Sequence, residues 1–523
     1  MNSNQVLGGK QTLNPNQSFS AKHTSGGKHS DPVRGLTTAV SSPLFEGRFG
    51  RMFRSLPAAT FGSTDRENEV HLQKLGHAMS NTPDAPKDGP DDEESGIPAL
   101  YTYFGQFIDH DLTFDPASSL QKQDDPNALV DFRTPALDLD NVYGRGPDDQ
   151  PYMYDNAGRN FLLGDPIHGG DRGAHDLQRN HANPRRALIG DPRNDENAIV
   201  SQLQGLAHRF HNRVASENPH LTFPQVQQFV RFHYQYLILN DFLPRIVHSS
   251  VISALKTGDQ YDRGKLKFYH PKNHPFMPVE FSVAAYRLGH SMIRPGYRLN
   301  DQILRPIFPV PKFPDGLTGF RAMHPAMGID WGRFIDIDLR DYSGPPAIRR
   351  KRLQFAYRID TSLVFPLSHL PPSVAAKPMS LAGRNLLRAY RLGLPTGQDV
   401  ARSMGLDPLP DKEILIGQGV DDLTKPNPNI LSVSKIFANN CPLWTYILAE
   451  AMHYKEAVKI PVKESISITT PRLGPVGGRI VAEVFLGLIA DDSDSYLGLY
   501  PTWQPPSGPG YALKDFVKYA LGR

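Results

Sequence analysis

Residues 99–114, ALYTYFGQFIDHDLTF, impose the tightest condition on what this chain can fold into. At helical spacing Leu100, Tyr103, Phe104, Phe107, Ile108 and Leu112 would bury most of a helix, yet Gln106, Asp109, His110 and Asp111 sit among them. Gln106 and His110, four apart, share one face, and Asp109 borders it. Burying such groups is costly unless something binds them. A lone histidine on an apolar helix is more often a satisfied core residue. Three polar neighbours in the same buried stretch make a site the better reading.

Other segments repeat the helical pattern without the polar interruption. In DENAIVSQLQGLAHRFHNRV the residues Val200, Leu203, Ala207, Phe210 and Val214 form one stripe. Residues 223–247, 279–293 and 478–490 behave likewise, and alternating strand-like runs are few and short. The 47 Pro and 44 Gly are scattered rather than gathered into one linker, which suits helices joined by long irregular loops. The expected fold is therefore mainly α, a single large helical domain with few short strands. Pro-rich punctuation at 80–98, 271–275 and 306–316 reads as loops within that domain.

Charge is nearly balanced, 57 Lys+Arg against 54 Asp+Glu, so no long-range field argues for nucleic acid or an anionic membrane surface, and small molecules are the expected partners. Cys441 is the only cysteine, which excludes an intramolecular disulfide. The first forty residues are rich in Gly, Ser, Asn and Gln, with neither a signal-peptide pattern nor a window apolar enough to span a bilayer. The expectation is a flexible arm over 1–40, a catalytic domain over 41–523, and a soluble, cytoplasmic protein of undetermined oligomeric state.

Two kinds of site fit His110-Asp111: a metal-dependent phosphohydrolase in which both residues ligate metal, and a haem pocket in which His110 is a base. FGQFIDHDL resembles the distal-helix signature of animal-type haem peroxidases, the peroxidase and cyclooxygenase superfamily, and the last stretch, PLWTYILAEA followed by LGPVGGRIVAEVFLGLIADDSDSYL, resembles the C-terminal helices of its bacterial members. The resemblance implies His110 as the distal base, Gln106 beside the distal water, Asp109 as an ester link to haem and Asp111 as a calcium ligand.

The resemblance recurs along the chain. IGDPRNDENAI (189–199) is similar to the segment carrying the distal arginine, which places Arg193 in that role and Glu196 as a second ester link. Read alone, this stretch is a helix start with Asp191 or Asn194 as N-cap. Asn197 stands where some members carry a methionine linked to haem, so a sulfonium bond is not expected. TPALDLDNVYG (134–144) looks like the calcium loop, implying Thr134, the carbonyl of Ala136, Asp138 and Asp140 beside Asp111; hard oxygen donors of this kind suit Ca2+. Asp140 takes a position often held by serine. EFSVAAYRLGHSMIRPGYRLN (280–300) is similar to the proximal helix, making His290 the iron ligand. SLAGRNLLRAYRLGLP (380–395) resembles the segment that supplies its partner, Asn385, and an arginine near a haem propionate, Arg388. The phosphohydrolase reading explains none of these later stations.

Haem b and calcium are thus the implied cofactors. The implied activity is reduction of hydrogen peroxide with oxidation of a halide, thiocyanate or small aromatic donor. His110 would act as general base and then acid, and Arg193 would stabilise developing negative charge. A neutral amide at Asn385 would leave His290 less anionic than a carboxylate would, favouring a higher potential. Two rivals stand beside it. A fatty-acid dioxygenase of the same superfamily would carry a tyrosine three residues before His290, where this chain has Arg287. A haem-free adhesion module would have no use for His110, Arg193, His290 and Asn385 together.

Overall fold

Side-chain caps and prolines set where the longer helices begin. Helix α1 (Asp65–Ala78) starts at Thr64, whose hydroxyl accepts from Glu67 N at 3.2 Å while the Glu67 carboxylate accepts from Thr64 N at 3.3 Å. Helix α2 (Leu100–Leu112) has no side-chain cap; it follows strand Glu94–Pro98 directly and is buried along nearly all its length. Helix α3 (Ala198–Glu217) is capped by Asn197, whose Oδ1 accepts from Ile199 N and Val200 N at 3.1 and 2.9 Å. Neither Asp191 nor Asn194 caps it, because a separate 3-10 turn, Pro192–Asp195, intervenes and Asp191 caps that turn instead.

Helix α4 (Phe223–Leu237) runs through a π turn, Ile238–Phe242, into Leu243–Ile246. Helices α5 (Leu381–Arg391), α6 (Leu443–Ala451), α7 (Pro475–Asp491) and α8 (Leu513–Leu521) complete the longer elements. The structure, a computed structural model, describes residues 49–113, 135–271, 275–372, 374–375, 378–417 and 427–523. The 1–40 arm and Thr134 lie outside them.

The architecture is mainly helical, as expected. Strands among the described residues are short and paired two by two, as in Glu94–Pro98 with Phe355–Tyr357 and Lys455–Lys459 with Ser467–Pro471. Val200, Leu203, Ala207, Phe210 and Val214 are all buried, so the stripe read from the sequence faces the core. One large apolar cluster runs through the molecule, with a small satellite of Leu353, Phe355, Ile460 and Val462. No described helix is long and apolar enough to cross a membrane.

The segment read as one helix over 279–293 is broken. An α turn, Val279–Val283, ends at Ala284, and Ala285–His290 continues as a 3-10 helix. Phe281 and Tyr286 would lie roughly 140° apart around an unbroken α-helix, whereas here their rings stack at 4.7 Å and 10°. Packing of these two aromatics therefore goes with the break.

Two tertiary contacts fix the frame. α1 and α5 approach through glycines: a Cβ on Gly76 would meet Gly383 N at 2.6 Å. Glu94, in the strand leading into α2, receives Arg294 Nη1 and Arg352 Nη2, both at 2.7 Å, with all three side chains buried. Arg294 lies four residues beyond His290, so this ion cluster ties the entry to α2 to the exit from the His290 segment.

Candidate haem site

Within α2 every residue is buried except Gly105, Gln106 and Asp109, which form one half-exposed strip. The elements around α2 show the same pattern. Arg193, Glu196 and Asn197 are half-buried at the start of α3, Arg287, Gly289 and His290 in the 3-10 segment, and Arg384 and Arg388, one turn apart, on α5. A Cβ on Gly289 would meet nothing within 4 Å, so space lies beside His290. α2 abuts that segment through Tyr286, whose hydroxyl donates to Gly105 O at 3.2 Å.

On the α2 side, His110 Nδ1 donates to Asn194 Oδ1 at 2.7 Å. Because a carbonyl oxygen only accepts, Nδ1 carries the proton. Burial, and then the Arg193 charge, push the imidazole down to about 4, so it is neutral at neutral pH. Gln106 bridges two elements: its Nε2 donates to Glu196 and its Oε1 accepts from Asn197 Nδ2 at 3.1 Å. Glu196 is half-buried by surface area but closely enclosed by protein atoms, and that enclosure raises its carboxyl to about 7 against the lowering effect of Arg193.

Arg193 is held at the end of α2. Nη2 donates to the carbonyls of His110 (3.0 Å) and Thr113 and to Asp191 Oδ2 (2.8 Å). Its guanidinium thus sits next to His110 while also closing the helix C-terminus. Asp109 accepts from the Thr113 hydroxyl at 3.4 Å and lies within electrostatic reach of Glu196, Tyr286 and Arg388. Burial lowers Arg388 to about 10, with Asp109 opposing, so it stays cationic at neutral pH.

On the opposite side, Asn385 Nδ2 lies 2.7 Å from His290 Nδ1 and donates to it. An iron ligand must leave Nε2 unprotonated, so Nδ1 has to carry the proton and face an acceptor. Turning the Asn385 amide over places Oδ1 there instead, and ligation needs that arrangement. Burial lowers His290 to about 3, with Arg287 adding to it. Trp444 of α6 stands edge-on to His290 at 6.5 Å and donates Nε1–H to Arg287 O at 3.3 Å.

The residues present fit a haem: an imidazole held by an amide, open space beside it, a cationic Arg388 suited to a propionate, and the carboxylates of Asp109 and Glu196 within electrostatic reach of each other. The calcium set is less complete. Asp111 meets the 137–141 loop, but its oxygens accept from Leu139 N (3.1 Å) and Asn141 N (3.4 Å). Asp138 Oδ1 accepts from Asp140 N at 3.1 Å. Among the described residues no group of three or more His, Cys, Asp or Glu side chains is arranged to hold an ion. Thr134 falls outside them, and Ala136 borders the loop.

Sequence reasoning missed Asn197 as a bridge to Gln106, Trp444 against His290, and the buried partners of Asn194. Asn197 holds the cap that the sequence assigned to Asp191 or Asn194, and nothing local to Trp444 marks its neighbour.

Residues 118–314 match the animal haem peroxidase family. Peroxidasin of Drosophila melanogaster is 26% identical over 245 residues, 44% of this chain and 14% of that protein. Chorion peroxidase of Aedes aegypti is 29% identical over 117 residues (21% and 15%), and thyroid peroxidase of Canis lupus familiaris 30% over 122 (22% and 12%). The chain therefore spans only about a seventh of these relatives. Peroxidase A of Dictyostelium discoideum superposes with TM-score 0.53 at 16% identity, covering 81% of this chain and 83% of that one. A fatty acid alpha-dioxygenase of Arabidopsis thaliana gives 0.50 at 14% (88% and 76%). At such identities the superpositions speak to fold alone. Residues 118–314 are thus similar to the animal haem peroxidase family, and the chain shares its fold with these two solved structures.

Proposed function

We propose that this protein is a haem peroxidase that reduces hydrogen peroxide and oxidises a halide, thiocyanate or small aromatic donor. The observation that carries the reading is the pair of amide-held imidazoles, His110 on Asn194 and His290 on Asn385, each at 2.7 Å, on elements that pack against each other. Haem b, held through His290, would supply the redox chemistry. The protein's part is positioning and proton transfer. His110, neutral and with Nε2 as its lone-pair nitrogen, takes a proton from peroxide and returns it to the departing oxygen. Arg193, beside it, stabilises the charge that develops. Gln106 orders the polar groups next to His110, and Arg388 pairs with a propionate.

Asp109 and Glu196 are the proposed ester links, since both carboxylates border the half-exposed strip of α2. Calcium is the proposed structural ion, with Asp111, Thr134, the Ala136 carbonyl, Asp138 and Asp140 as its proposed ligands; binding would exchange the N–H donors on Asp111 for the cation. Residues 41–523 are read as one catalytic domain, supported by contacts such as Arg51 Nη1 with Gly393 O at 2.9 Å, 342 positions apart.

The dioxygenase reading shares the fold. Against it stands Arg287 at the tyrosine position, and the Tyr286 hydroxyl is engaged with Gly105 O. The test is direct. The haem-loaded chain should show a Soret band and oxidise iodide, bromide, thiocyanate or a phenol only with peroxide. His110→Ala should suppress the peroxide reaction with haem retained, and His290→Ala should weaken haem binding. Haem that survives acidified organic extraction supports the esters. Rapid oxygen uptake with an unsaturated fatty acid would favour the dioxygenase, and a chain that never takes up haem would favour the adhesion module.

A further inference from the structure

The His110–Asn194 hydrogen bond is the first link of a longer buried array. Asn194 Nδ2 donates to Gln204 Oε1 at 2.8 Å, and Gln204 Nε2 donates to His208 Nε2 at 2.9 Å. Asn194 lies on the 3-10 turn, and Gln204 and His208 lie one turn apart on α3. Relative exposures of His110, Asn194, Gln204 and His208 are 4, 0, 0 and 2%, which leaves little access for bulk water to substitute for a partner. The far end is itself clamped: the His208 ring stacks on Phe161 at 4.2 Å and 6°.

A primary amide accepts at one end and donates at the other. Two amides in series between two imidazoles therefore allow only two directions of donation. In the direction observed, His208 accepts at Nε2, both amides point their oxygens toward His110, and His110 carries its proton on Nδ1. In the reverse direction, His208 would donate, Asn194 Nδ2 would face His110 Nδ1, and His110 would be protonated on Nε2, unable to accept a proton there.

We propose that Asn194, Gln204 and His208 are positioning residues that together set the tautomer of His110, with His208 accepting at the far end of the array. The role of His110 in proton transfer belongs to the function proposed above, on which this inference rests; the tautomer itself does not. Burial, and then His211, keep His208 neutral by lowering it to about 3, consistent with an acceptor at the end of the array.

The test uses the full chain with 15N-labelled histidine and without haem, the His110 signals being assigned by their loss in His110→Gln. Wild type should show an N–H-type Nδ1 and a pyridine-type Nε2 at His110; the opposite pattern overturns the proposal without any further variant. Asn194→Ala should mix the tautomers and, in haem-loaded protein, slow the second-order reaction with peroxide ~10–100-fold. Asn194→Asp, which keeps an acceptor on Nδ1, should restore the pattern. Gln204→Leu, which frees the Asn194 amide to turn, should give mixed tautomers and an intermediate rate, and a wild-type pattern there would remove Gln204 and His208 from the role. An unchanged rate and unchanged ring pattern in Asn194→Ala would overturn the whole array. Should wild type bind haem yet ignore peroxide, the function fails while the nitrogen pattern still decides the array.

Discussion

In the proposed haem site, the orientation of the Asn385 amide decides which nitrogen of His290 is left to face the iron. Its amide is the His290 Nδ1 partner that the structure supplies, at 2.7 Å, and removing such a partner loosens ring orientation and basicity together. Asn385→Ala is expected to weaken haem affinity ~10–100-fold, read by spectrophotometric titration; an unchanged affinity would mean that the amide does not serve the ligand. At this scale the sequence was legible wherever chemistry contradicts its local setting. Gln106, Asp109 and His110 stand out because polar groups interrupt an apolar helix, and they do form one accessible strip or its buried neighbour. Gln204 and His208 do not stand out. Each is an ordinary helix residue until tertiary packing buries it in the array that starts at Asn194.

Among elements, α2 and α3 matched their periodicity: α2 is enclosed on all but the strip of Gly105, Gln106 and Asp109, and α3 buries its Val200–Val214 stripe. The proximal segment did not, since the stacking of Phe281 on Tyr286 overrides the helical pattern of the same residues. The strand leading into α2 is tied to the exit of that segment by ion pairs. Glu94 neutralises Arg294 and Arg352 in a buried setting, and truncating it would leave two enclosed guanidinium groups without their shared carboxylate. Glu94→Ala is expected to lower unfolding stability by about 3–5 kcal/mol, visible as a lower denaturant midpoint. A change below 1 kcal/mol would show that water reaches the cluster. α7 is joined to α6 by a carboxylate as well: Glu450 accepts from Val476 N and Gly477 N at its start.

For the molecule as a whole, that same Glu450 makes stability depend on pH. Burial raises its carboxyl to about 7, against the backbone donors that lower it. A folded-state value above the unfolded one means that the protonated form is favoured on folding. Its contribution is complete below about pH 4.5 and is lost as pH rises through about 7. Glu450→Gln should therefore unfold at the same denaturant concentration as wild type at pH 4 and be more stable by a few kcal/mol, at most roughly 3, at pH 8. An equal difference at both pH values would rule the linkage out. Interleaving has another outcome. His110 meets a partner 84 positions on and His290 one 95 positions on, while Tyr390 reaches back 325 positions to Asp65. A nascent chain emerging from the ribosome would carry the first imidazole long before the last amide exists. Capture of the proposed haem would then be a late event of biosynthesis, and a truncated translation product should be unable to retain iron porphyrin.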